Sequence, residues 1–354
     1  MQVCRDCIRN MTGYTPGEQP RDRSYVKLNT NENPYPPSPQ IRETIANFAL
    51  QHMRLYPEPT ALQVREEAAH LYGFQPDNII CGNGSDDLLT MAVRTFVDQG
   101  GCLGCFTPSY SLYPVLAQIQ GAETIQIPLE NDFTMPPLET ILKDTSECNV
   151  FFLTRPNAPT GNNFCKEKVA ELCQHFKGIV WIDEAYADFA ADNCIEYAKH
   201  FSNVIVSRSF SKSYSLAGIR FGLAFGQTEH IHQMMKVKDS YNVNALTQKI
   251  ALAALQDQNH MQTNVARICA TRRRVAQRLE ESGFTVLPSE ANFLLAKPPV
   301  PAQKLLRKLR EEGILVRYFD NPLTADYIRI TVGTDEEMDY LLAKSKQIVD
   351  GEKA

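Results

Sequence analysis

The sequence predicts an α/β fold, with a mostly parallel seven-stranded sheet covered by helices on both faces and a smaller α+β domain beside it. Between residues 78 and 225, seven short apolar runs alternate with segments of helical periodicity, a pattern typical of βαβ units. The runs are apolar almost throughout, as parallel strands are when helices cover both faces of the sheet. After residue 281, short strands and helices interleave, which indicates a second domain of α+β type.

The elements of the larger domain are predicted from apolar periodicity and from turn residues. Its strands are expected at residues 78–81, 102–106, 123–127, 150–153, 179–182, 204–206 and 221–225. Its helices are expected from about residue 39 and at residues 61–72, 86–96, 109–119, 166–176 and 228–237, followed by one long helical region at 245–281.

The smaller domain and the N-terminal segment complete the predicted organisation. Strands at residues 285–287, 293–296, 314–317 and 328–332 alternate with helices at 301–312 and 336–349. The first 38 residues are rich in proline, asparagine, glycine and charge, and their one short apolar element lies at residues 26–28. We therefore expect an N-terminal arm at residues 1–38 that lies against another part of the protein, a large domain at 39–258 and a small domain at 259–354.

Composition limits the classes of function. The chain has 354 residues, of which 43% are hydrophobic and 22% charged, as in ordinary globular proteins. Its 36 basic and 41 acidic residues give a net charge of -5 and form no basic stripe, which argues against nucleic-acid binding. No apolar run approaches the roughly 20 residues of a membrane-spanning helix, and the first residues lack the apolar core of a signal peptide. We expect a cytoplasmic protein that binds neither nucleic acid nor membrane.

Ten cysteines do not indicate a metal site. Two Cys-x-x-Cys pairs occur, Cys4 with Cys7 and Cys102 with Cys105, but a structural zinc site needs four convergent ligands. The second pair lies in an apolar run, where cysteines pack as small hydrophobic residues. A chain of this length can build its core without disulfides, and the cytoplasm keeps thiols reduced. We therefore expect no bound metal.

A serine-rich loop contains a single lysine and follows the apolar run at residues 203–207, so it lies at a strand end. Its sequence is Ser207-Arg-Ser-Phe-Ser-Lys-Ser-Tyr-Ser-Leu-Ala-Gly-Ile-Arg220. The serines and Arg220 can hold a phosphate by hydroxyl and charge-assisted hydrogen bonds. Lys212 could form a Schiff base, because a lysine becomes nucleophilic when it is partly desolvated or lies near other cations. Taken alone, the segment is also compatible with a solvated loop.

Other strand ends supply further polar groups, and ligands of parallel α/β sheets bind at the carboxyl ends of strands. Residues 82–87 open a helix whose N–H groups can bind a phosphate, although they lack the third glycine of a dinucleotide fingerprint. Asp183 ends a buried strand, where a carboxylate needs a partner, and Tyr186 follows it closely. Tyr110 stands at the head of a helix, where it can stack on a planar ring or pack in the core. Asn157 lies in a rigid turn at another strand end.

Together these groups describe one ligand. It needs an aldehyde for Lys212, a phosphate for the serines and Arg220, a ring nitrogen for Asp183 and a ring face for Tyr110. Pyridoxal phosphate has all four. In such a site Asp183 would keep the ring nitrogen protonated, so that the charge left by removal of a substrate proton delocalises into the ring. The released Lys212 would act as general base and acid.

In this order and spacing, the motifs resemble those of the fold-type I aminotransferases, over nearly the whole chain. The finer resemblance is to the histidinol-phosphate aminotransferases. The motifs that support it are Leu28-Asn-Thr-Asn-Glu-Asn-Pro34, Arg54-Leu-Tyr-Pro57, Gly82-Asn-Gly-Ser-Asp86, Ser209-Phe-Ser-Lys-Ser213, Leu216-Ala-Gly-Ile-Arg220 and Ile328-Arg-Ile-Thr-Val-Gly333. The resemblance implies a pyridoxal-phosphate-dependent transaminase of histidine biosynthesis that converts histidinol phosphate and 2-oxoglutarate, works by a ping-pong cycle and forms a homodimer.

The resemblance also implies a role for each matching residue. In the cofactor site, Lys212 bears the cofactor, Asp183 pairs with the ring nitrogen, Tyr186 contacts the ring oxygen and Tyr110 stacks on the ring. The cofactor phosphate would be held by side chains and backbone N–H groups of Ser85, Asp86, Ser209, Ser211 and Arg220, and by Tyr56 of the neighbouring subunit. For the substrate, Arg329 matches the arginine that binds an α-carboxylate, and Arg317 and Tyr14 match groups near the substrate phosphate.

One position departs from the family pattern. The family usually has an asparagine directly before the Pro-Thr-Gly turn, where it hydrogen-bonds the ring oxygen, and this chain has Ala158 there. Asn157, one residue earlier, is the amide left at this turn and is included as a cofactor contact. If Asn157 does not reach the ring oxygen, Tyr186 is the one residue that contacts it.

Several alternatives remain open at this point. A threonine-phosphate decarboxylase would use the same cofactor on a similar phosphorylated amine, and an aromatic amino acid aminotransferase would differ in the amino donor. A transcription regulator with a non-catalytic cofactor module would need a DNA-binding domain, for which 38 polar residues before the first helix leave no room. Arg317 and Arg329 could form structural salt bridges instead of binding substrate.

Overall fold

The computed structural model describes residues 3–19 and 25–353, and within these ranges the chain forms thirteen β-strands. In chain order they are β1 (Val26–Lys27), β2 (Ile79–Gly82), β3 (Cys102–Thr107), β4 (Glu123–Pro128), β5 (Val150–Thr154), β6 (Ile179–Asp183), β7 (Val204–Ser209), β8 (Gly222–Phe225), β9 (Thr285–Val286), β10 (Phe293–Lys297), β11 (Ile314–Leu315), β12 (Arg317–Tyr318) and β13 (Ile328–Thr331).

Thirteen α-helices lie in the same described ranges. They are α1 (Asp6–Arg9), α2 (Pro39–Ala46), α3 (Leu62–Tyr72), α4 (Ser85–Phe96), α5 (Leu112–Gln120), α6 (Leu138–Asp144), α7 (Lys166–His175), α8 (Tyr197–His200), α9 (Thr228–Val237), α10 (Ala245–Gln256), α11 (Gln258–Glu281), α12 (Ala302–Glu311) and α13 (Asp335–Lys353). Short 3-10 helices occur at Leu50–Arg54, Pro76–Asn78, Ala187–Phe189 and Ala217–Ile219.

In the described part of the chain, the central sheet has seven strands in the order β2-β8-β7-β6-β5-β3-β4, which confirms the predicted fold class. All pairings are parallel except those of β8, which runs antiparallel to β2 and β7. Neighbouring residues of one strand point to opposite faces of the sheet. Phe151 therefore packs in the hydrophobic cluster on one face, and Phe152 packs in the cluster on the other face. A continuous apolar strand therefore lies between two helical layers.

Three adjacent strands bring polar residues into one row at the carboxyl edge of this sheet. In the parallel pairings β5·β6 and β6·β7, Thr154 lies opposite Asp183, and Asp183 lies opposite Ser207. All three residues are buried. The alignment follows from parallel pairing, in which strands of similar length end at the same side. This row forms the floor of the site described below.

The smaller sheet has the order β12-β13-β10-β9 and is antiparallel, with its own hydrophobic cluster against α11, α12 and α13. The short apolar element predicted at residues 26–28 lies against this part of the protein. There β1 pairs in parallel with β11, and the Thr331 N–H donates to the Leu28 carbonyl oxygen at 3.0 Å. Residues 1–2, 20–24 and 354 of the predicted domains lie outside the described residues.

One element prediction was wrong, and another was coarse. The helical region predicted at 245–281 consists of two helices, because Asp257 separates α10 from α11 and caps α11 by accepting a hydrogen bond from the His260 N–H. The single strand expected at 314–317 is divided between two sheets, since β11 pairs with β1 and β12 pairs with β13. The predicted domain boundary at 258/259 falls at the start of α11 and stays a prediction.

Among the helices within residues 3–19 and 25–353, none combines the length and the apolar character needed to cross a membrane.

Candidate active site

A cavity of about 970 Å3 opens at the carboxyl edge of the central sheet and extends to the small sheet and the N-terminal segment. Twelve of the fourteen site residues predicted from the sequence line it. They are Tyr14, Ser85, Asp86, Tyr110, Asp183, Tyr186, Ser209, Ser211, Lys212, Arg220, Arg317 and Arg329. These residues are up to 315 positions apart in the chain (14 to 329), and the fold brings them to one place.

Asp183 lies on the floor of the cavity at the end of β6, with its carboxylate buried. The carboxylate accepts hydrogen bonds from the Tyr113 hydroxyl at 3.2 Å, from the Ser207 hydroxyl at 3.3 Å and from the Ala185 N–H at 3.3 Å. Burial raises the pKa of Asp183 to about 6, and the negative charge of Asp86 adds to the shift. A carboxylate held in this way is stabilised when a cationic group enters the cavity beside it.

Lys212 lies beyond the end of β7, and its Nζ donates to the Thr30 carbonyl oxygen at 3.2 Å. Burial of its ammonium group lowers the pKa of Lys212 to about 8, and the positive charge of Arg329 acts in the same direction. Near neutral pH a larger fraction of this amine is therefore uncharged than in an exposed lysine. An uncharged amine is the nucleophilic form, so Lys212 is suited to attack an aldehyde.

A candidate anion site lies between the start of α4 and the loop after β7. Arg220 Nη1 donates to the Ser211 hydroxyl at 3.1 Å, and Arg220 Nη2 lies 3.4 Å from the Asp86 carboxylate. Gly84 precedes the twelve-residue helix α4 with a φ of +83°, and a Cβ there would lie 2.6 Å from Arg220 Nη2. The absent side chain thus leaves room for the guanidinium beside the free N–H groups of the helix, where a phosphate is stabilised.

Tyr110 forms part of the wall next to the anion site. Its hydroxyl donates to the Asp86 carboxylate at 2.9 Å, and its ring makes edge contacts with the rings of Tyr113 at 5.6 Å and Tyr14 at 5.9 Å. Burial and the charge of Asp86 raise the pKa of the Tyr110 hydroxyl. The ring is therefore held in place by its hydroxyl bond while it lines the cavity.

Arg329 and Arg317 lie on the opposite wall, on β13 and β12. Arg329 Nη2 donates to the Asn29 carbonyl oxygen at 3.0 Å, whereas its buried Nε has no partner within the described residues. Arg317 donates to the carbonyl oxygens of Thr15 and Pro16, both at 3.3 Å. Neither arginine has a carboxylate partner in the described ranges, so the structural salt bridges considered above are not found there. Both guanidinium groups can bind an anionic ligand.

Asn157 and Tyr56 are the two predicted residues that do not line the cavity. Asn157 is wholly buried, and its amide nitrogen donates to the Pro108 carbonyl oxygen at 3.0 Å and to the Thr160 hydroxyl at 2.7 Å. Its amide oxygen accepts from the Ser109 hydroxyl at 2.9 Å, so the side chain is fully used in holding the turn. Tyr56 is exposed and stacks on Tyr241 with ring centroids 4.4 Å apart.

Sequence reasoning missed several polar groups that line the cavity or are buried behind it. Tyr113 and Ser207 hold Asp183, and Thr30 accepts from Lys212. Asn31 lies beside Tyr186, to whose hydroxyl oxygen its amide donates at 3.0 Å. Thr30 and Asn31 belong to the motif at residues 28–34, which pointed to this segment as part of the site. A motif does not reveal, however, which distant side chains its residues contact.

No group of three or more His, Cys, Asp or Glu side chains suited to holding a metal ion occurs in the part of the chain that the structure describes.

Comparison with known proteins places this chain among aminotransferases. The family model for aminotransferase class I and II matches residues 23–344. The chain is 43% identical over 351 residues to the histidinol-phosphate aminotransferase of Microcystis aeruginosa, with 99% of each protein covered. It is 41% identical over 353 residues to the enzyme of the same name from Citrifermentans bemidjiense, with 99% of this chain and 100% of that protein covered.

Solved structures give the same result. The histidinol-phosphate aminotransferase of Sinorhizobium meliloti, crystallised in complex with pyridoxal-5'-phosphate, superimposes with a TM-score of 0.90 at 25% identity, and the match covers 99% of each chain. A Thermus thermophilus aspartate aminotransferase variant shares the fold with a TM-score of 0.82 at 18% identity, over 98% of this chain and 100% of that one.

Proposed function

The chain belongs to the class I and II aminotransferases and, within them, to the histidinol-phosphate aminotransferases, and from this premise we propose that it transfers the amino group of histidinol phosphate to 2-oxoglutarate with pyridoxal phosphate as its cofactor. The main support is the convergence of Lys212, Asp183 and the anion site around Arg220 on one cavity. The small-molecule products of this reaction are imidazole acetol phosphate and glutamate.

The residues of the cavity fit the separate groups of pyridoxal phosphate. Asp183 is a buried carboxylate that accepts hydrogen bonds from the neutral groups of Tyr113, Ser207 and Ala185, and a protonated ring nitrogen would supply the compensating positive charge. Lys212 provides an amine that is partly uncharged near neutral pH. Ser209, Ser211, Arg220 and the N–H groups at the start of α4 would hold the phosphate. Tyr110 would pack against the ring, and Tyr186 would donate to its oxygen.

In the proposed mechanism, the bound cofactor supplies an electron sink for the charge that remains when the substrate loses its α-proton. Lys212 Nζ removes that proton from the substrate Cα and later delivers a proton as general acid. Asp183 keeps its negative charge near the ring, because Tyr113 and Ser207 donate to it. Desolvation of Lys212 keeps its amine available as a base at neutral pH.

The opposite wall would bind the substrates. Arg329 would bind the α-carboxylate of glutamate or 2-oxoglutarate, since its buried Nε has no partner among the described residues and a guanidinium can form two parallel bonds with a carboxylate. Arg317 and Tyr14 would bind the phosphate of histidinol phosphate. Arg317 donates to the carbonyl oxygens of Thr15 and Pro16, the two residues that follow Tyr14, and these bonds hold its guanidinium beside the segment that carries Tyr14.

A homodimer and a cytoplasmic location belong to the same proposal. Several large apolar side chains are exposed around Tyr56, which itself is 80% exposed, including Leu50 and Met53. Such a patch favours a protein contact, through which Tyr56 would reach the cofactor phosphate of the partner subunit. The cysteines are free thiols, which is typical of cytoplasmic proteins.

The test is a substrate assay on the purified protein with added pyridoxal phosphate. Histidinol phosphate and 2-oxoglutarate should yield glutamate, at a kcat/KM well above that for phenylalanine or tyrosine as amino donor. Release of CO2 from threonine phosphate without glutamate formation would identify a decarboxylase instead. A higher kcat/KM for the aromatic amino acids would identify an aromatic aminotransferase.

A further inference from the structure

Asn31 is buried and lines the cavity, and its backbone has a φ of +56°. Such a left-handed conformation is uncommon outside glycine, although asparagine tolerates it better than most residues. All the hydrogen-bonding groups of Asn31 are used. Its N–H donates to the Thr331 hydroxyl at 2.9 Å, and its carbonyl oxygen accepts from the Asn292 amide at 2.9 Å. The surrounding structure therefore holds this residue firmly.

The contacts also define which way the Asn31 amide points. The Thr331 hydroxyl accepts the Asn31 N–H and gives its own proton to the Asn31 amide oxygen at 3.1 Å. The amide oxygen therefore faces Thr331, and the amide nitrogen faces the Tyr186 hydroxyl oxygen at 3.0 Å. An amide nitrogen can only donate. The Tyr186 oxygen is thus the acceptor in this bond.

Because the Tyr186 oxygen accepts from Asn31, its own proton points elsewhere. A tyrosine hydroxyl has one proton to donate, and within the described ranges the hydroxyl of Tyr186 has no hydrogen-bond partner other than Asn31. Tyr186 is buried and lines the cavity. Buried tyrosine hydroxyls usually find an acceptor, and the free position of this one is open to a ligand.

The turn beside Tyr186 offers no second donor. Ala158 lines the cavity with a methyl group, and the Asn157 amide nitrogen already donates to the Pro108 carbonyl oxygen and the Thr160 hydroxyl. The ring oxygen of a bound cofactor therefore depends on the single donor that Tyr186 provides. The direction of that one proton then matters more than in a site with two donors.

We propose that Asn31 is a positioning residue that aims the Tyr186 hydroxyl proton at the cofactor's ring oxygen and so compensates for the alanine at position 158. The inference rests on the proposed function, since it needs the cofactor in the cavity. Asn31 acts only through Tyr186. Its bonds to Thr331 and Asn292 tie this action to the small sheet, which also holds Arg329.

The test is the pH midpoint of the visible absorbance change of the cofactor-bound protein. A donor on the ring oxygen stabilises its negative charge and lowers this midpoint, so loss of the donor raises it. Asn31→Gly, which keeps the left-handed backbone accessible, should raise the midpoint by about one pH unit, and Tyr186→Phe by at least as much. Arg329, Asp183 and Lys212 also act on Tyr186 or lie near it, and they are the same in every variant.

The double variant decides whether Asn31 acts through Tyr186. On the Tyr186→Phe background, Asn31→Gly should shift the midpoint by less than half of its effect in the otherwise unchanged protein, because contacting residues are not additive. A shift of half or more, or no shift from Asn31→Gly alone, would overturn the proposal. Asn264→Ala is the matched control, since Asn264 is equally buried but bonds to Pro36 and His260. It should leave the midpoint unchanged.

A second variant covers the case in which Asn31→Gly does not fold. Thr331→Val removes the hydroxyl that orients the Asn31 amide and should raise the midpoint in the same direction, again only when Tyr186 is present. An unchanged midpoint in Thr331→Val would also contradict the proposal. Failure of the proposed function is separate, because it would show in the unmodified protein as absent transamination of histidinol phosphate.

Discussion

On one side of the cavity, functional side chains stand at the ends of strands, whereas on the other side charged groups bond to the backbone of a neighbouring segment. We call the first side the sheet wall; it comprises Asp183, residues 209–220 and the start of α4. The second side, the clamp wall, comprises residues 28–33, β12 and β13. On the sheet wall, Asp183 is held by side chains that follow the same sheet edge. On the clamp wall, Arg329 is held by the Asn29 carbonyl oxygen.

The difference indicates that the two walls have different roles. On the sheet wall, burial shifts the pKa values of Asp183 and Lys212 in the directions that covalent and acid–base chemistry requires. The clamp wall bridges distant parts of the chain, since Lys212 and Arg329 donate to the consecutive carbonyl oxygens of Thr30 and Asn29. Both bonds are to neutral acceptors, which an anionic substrate can replace with stronger ones. We therefore expect chemistry from the sheet wall and substrate binding from the clamp wall.

The largest effect should come from Lys212→Ala, because it removes the side chain proposed as the nucleophile and proton carrier of the sheet wall. Glutamate formation from histidinol phosphate and 2-oxoglutarate should fall by about 1,000-fold or more in kcat. Lys344→Ala is the matched control, since Lys344 pairs with Glu312, lies over the Tyr340 ring and does not line the cavity. It should stay within about twofold of the unmodified protein. Retention of a tenth of the activity by Lys212→Ala would contradict the role of this wall.

Arg329→Lys tests the clamp wall and should have a smaller effect. A lysine keeps the charge but cannot form two parallel bonds with a carboxylate, and loss of a charge-assisted hydrogen bond weakens binding by about 10- to 100-fold. The KM for 2-oxoglutarate should rise by this factor while kcat changes less. Arg274→Lys, at an exposed arginine paired with Asp335, is the control. A fall in kcat at constant KM would place Arg329 in the chemical step and remove the distinction between the walls.

The two walls were not equally predictable from the sequence. Asp183 and Lys212 follow apolar runs, and parallel strands bring their carboxyl ends to one edge, so the sheet wall could be assembled from local patterns. Lys212 with the nearby serines and Arg220 is also a short, contiguous motif. The fold class followed for the same reason, since periodicity and burial of each strand are local properties.

The clamp wall depends on contacts between residues far apart in the chain. Asn31 meets Thr331 across 300 positions and Tyr186 across 155, and no local pattern gives these pairings. Asn157, in contrast, was predicted from a local pattern but does not line the cavity. It stands at a strand end, yet its amide is consumed by the turn itself. Sequence position predicts which residues are near the site, but only the hydrogen-bond partners show which of them are free to bind a ligand.

The smallest effect should come from Gly84→Ala, which tests how closely the sheet wall is fitted around a phosphate. The added methyl group would lie 2.6 Å from Arg220 Nη2, at a φ of +83° that alanine rarely adopts. Displacement of the guanidinium should weaken pyridoxal phosphate binding by about tenfold, measured by titrating the cofactor-free protein.

Gly218→Ala is a control in the same loop as Arg220, because a Cβ there meets no atom of the described residues within 4 Å. It should leave the cofactor affinity unchanged. If both variants bind the cofactor as well as the unmodified protein, the anion site tolerates a displaced Arg220 guanidinium. Cofactor affinity would then not depend on the positions that the structure gives to its side chains. If Gly84→Ala alone loses affinity, the phosphate is held by side chains whose positions the fold sets to within a few tenths of an ångström. In that case the cofactor affinity of the sheet wall would come from its rigidity. The clamp wall, whose hydrogen bonds to neutral carbonyl oxygens a substrate can replace, would accommodate two substrates in turn.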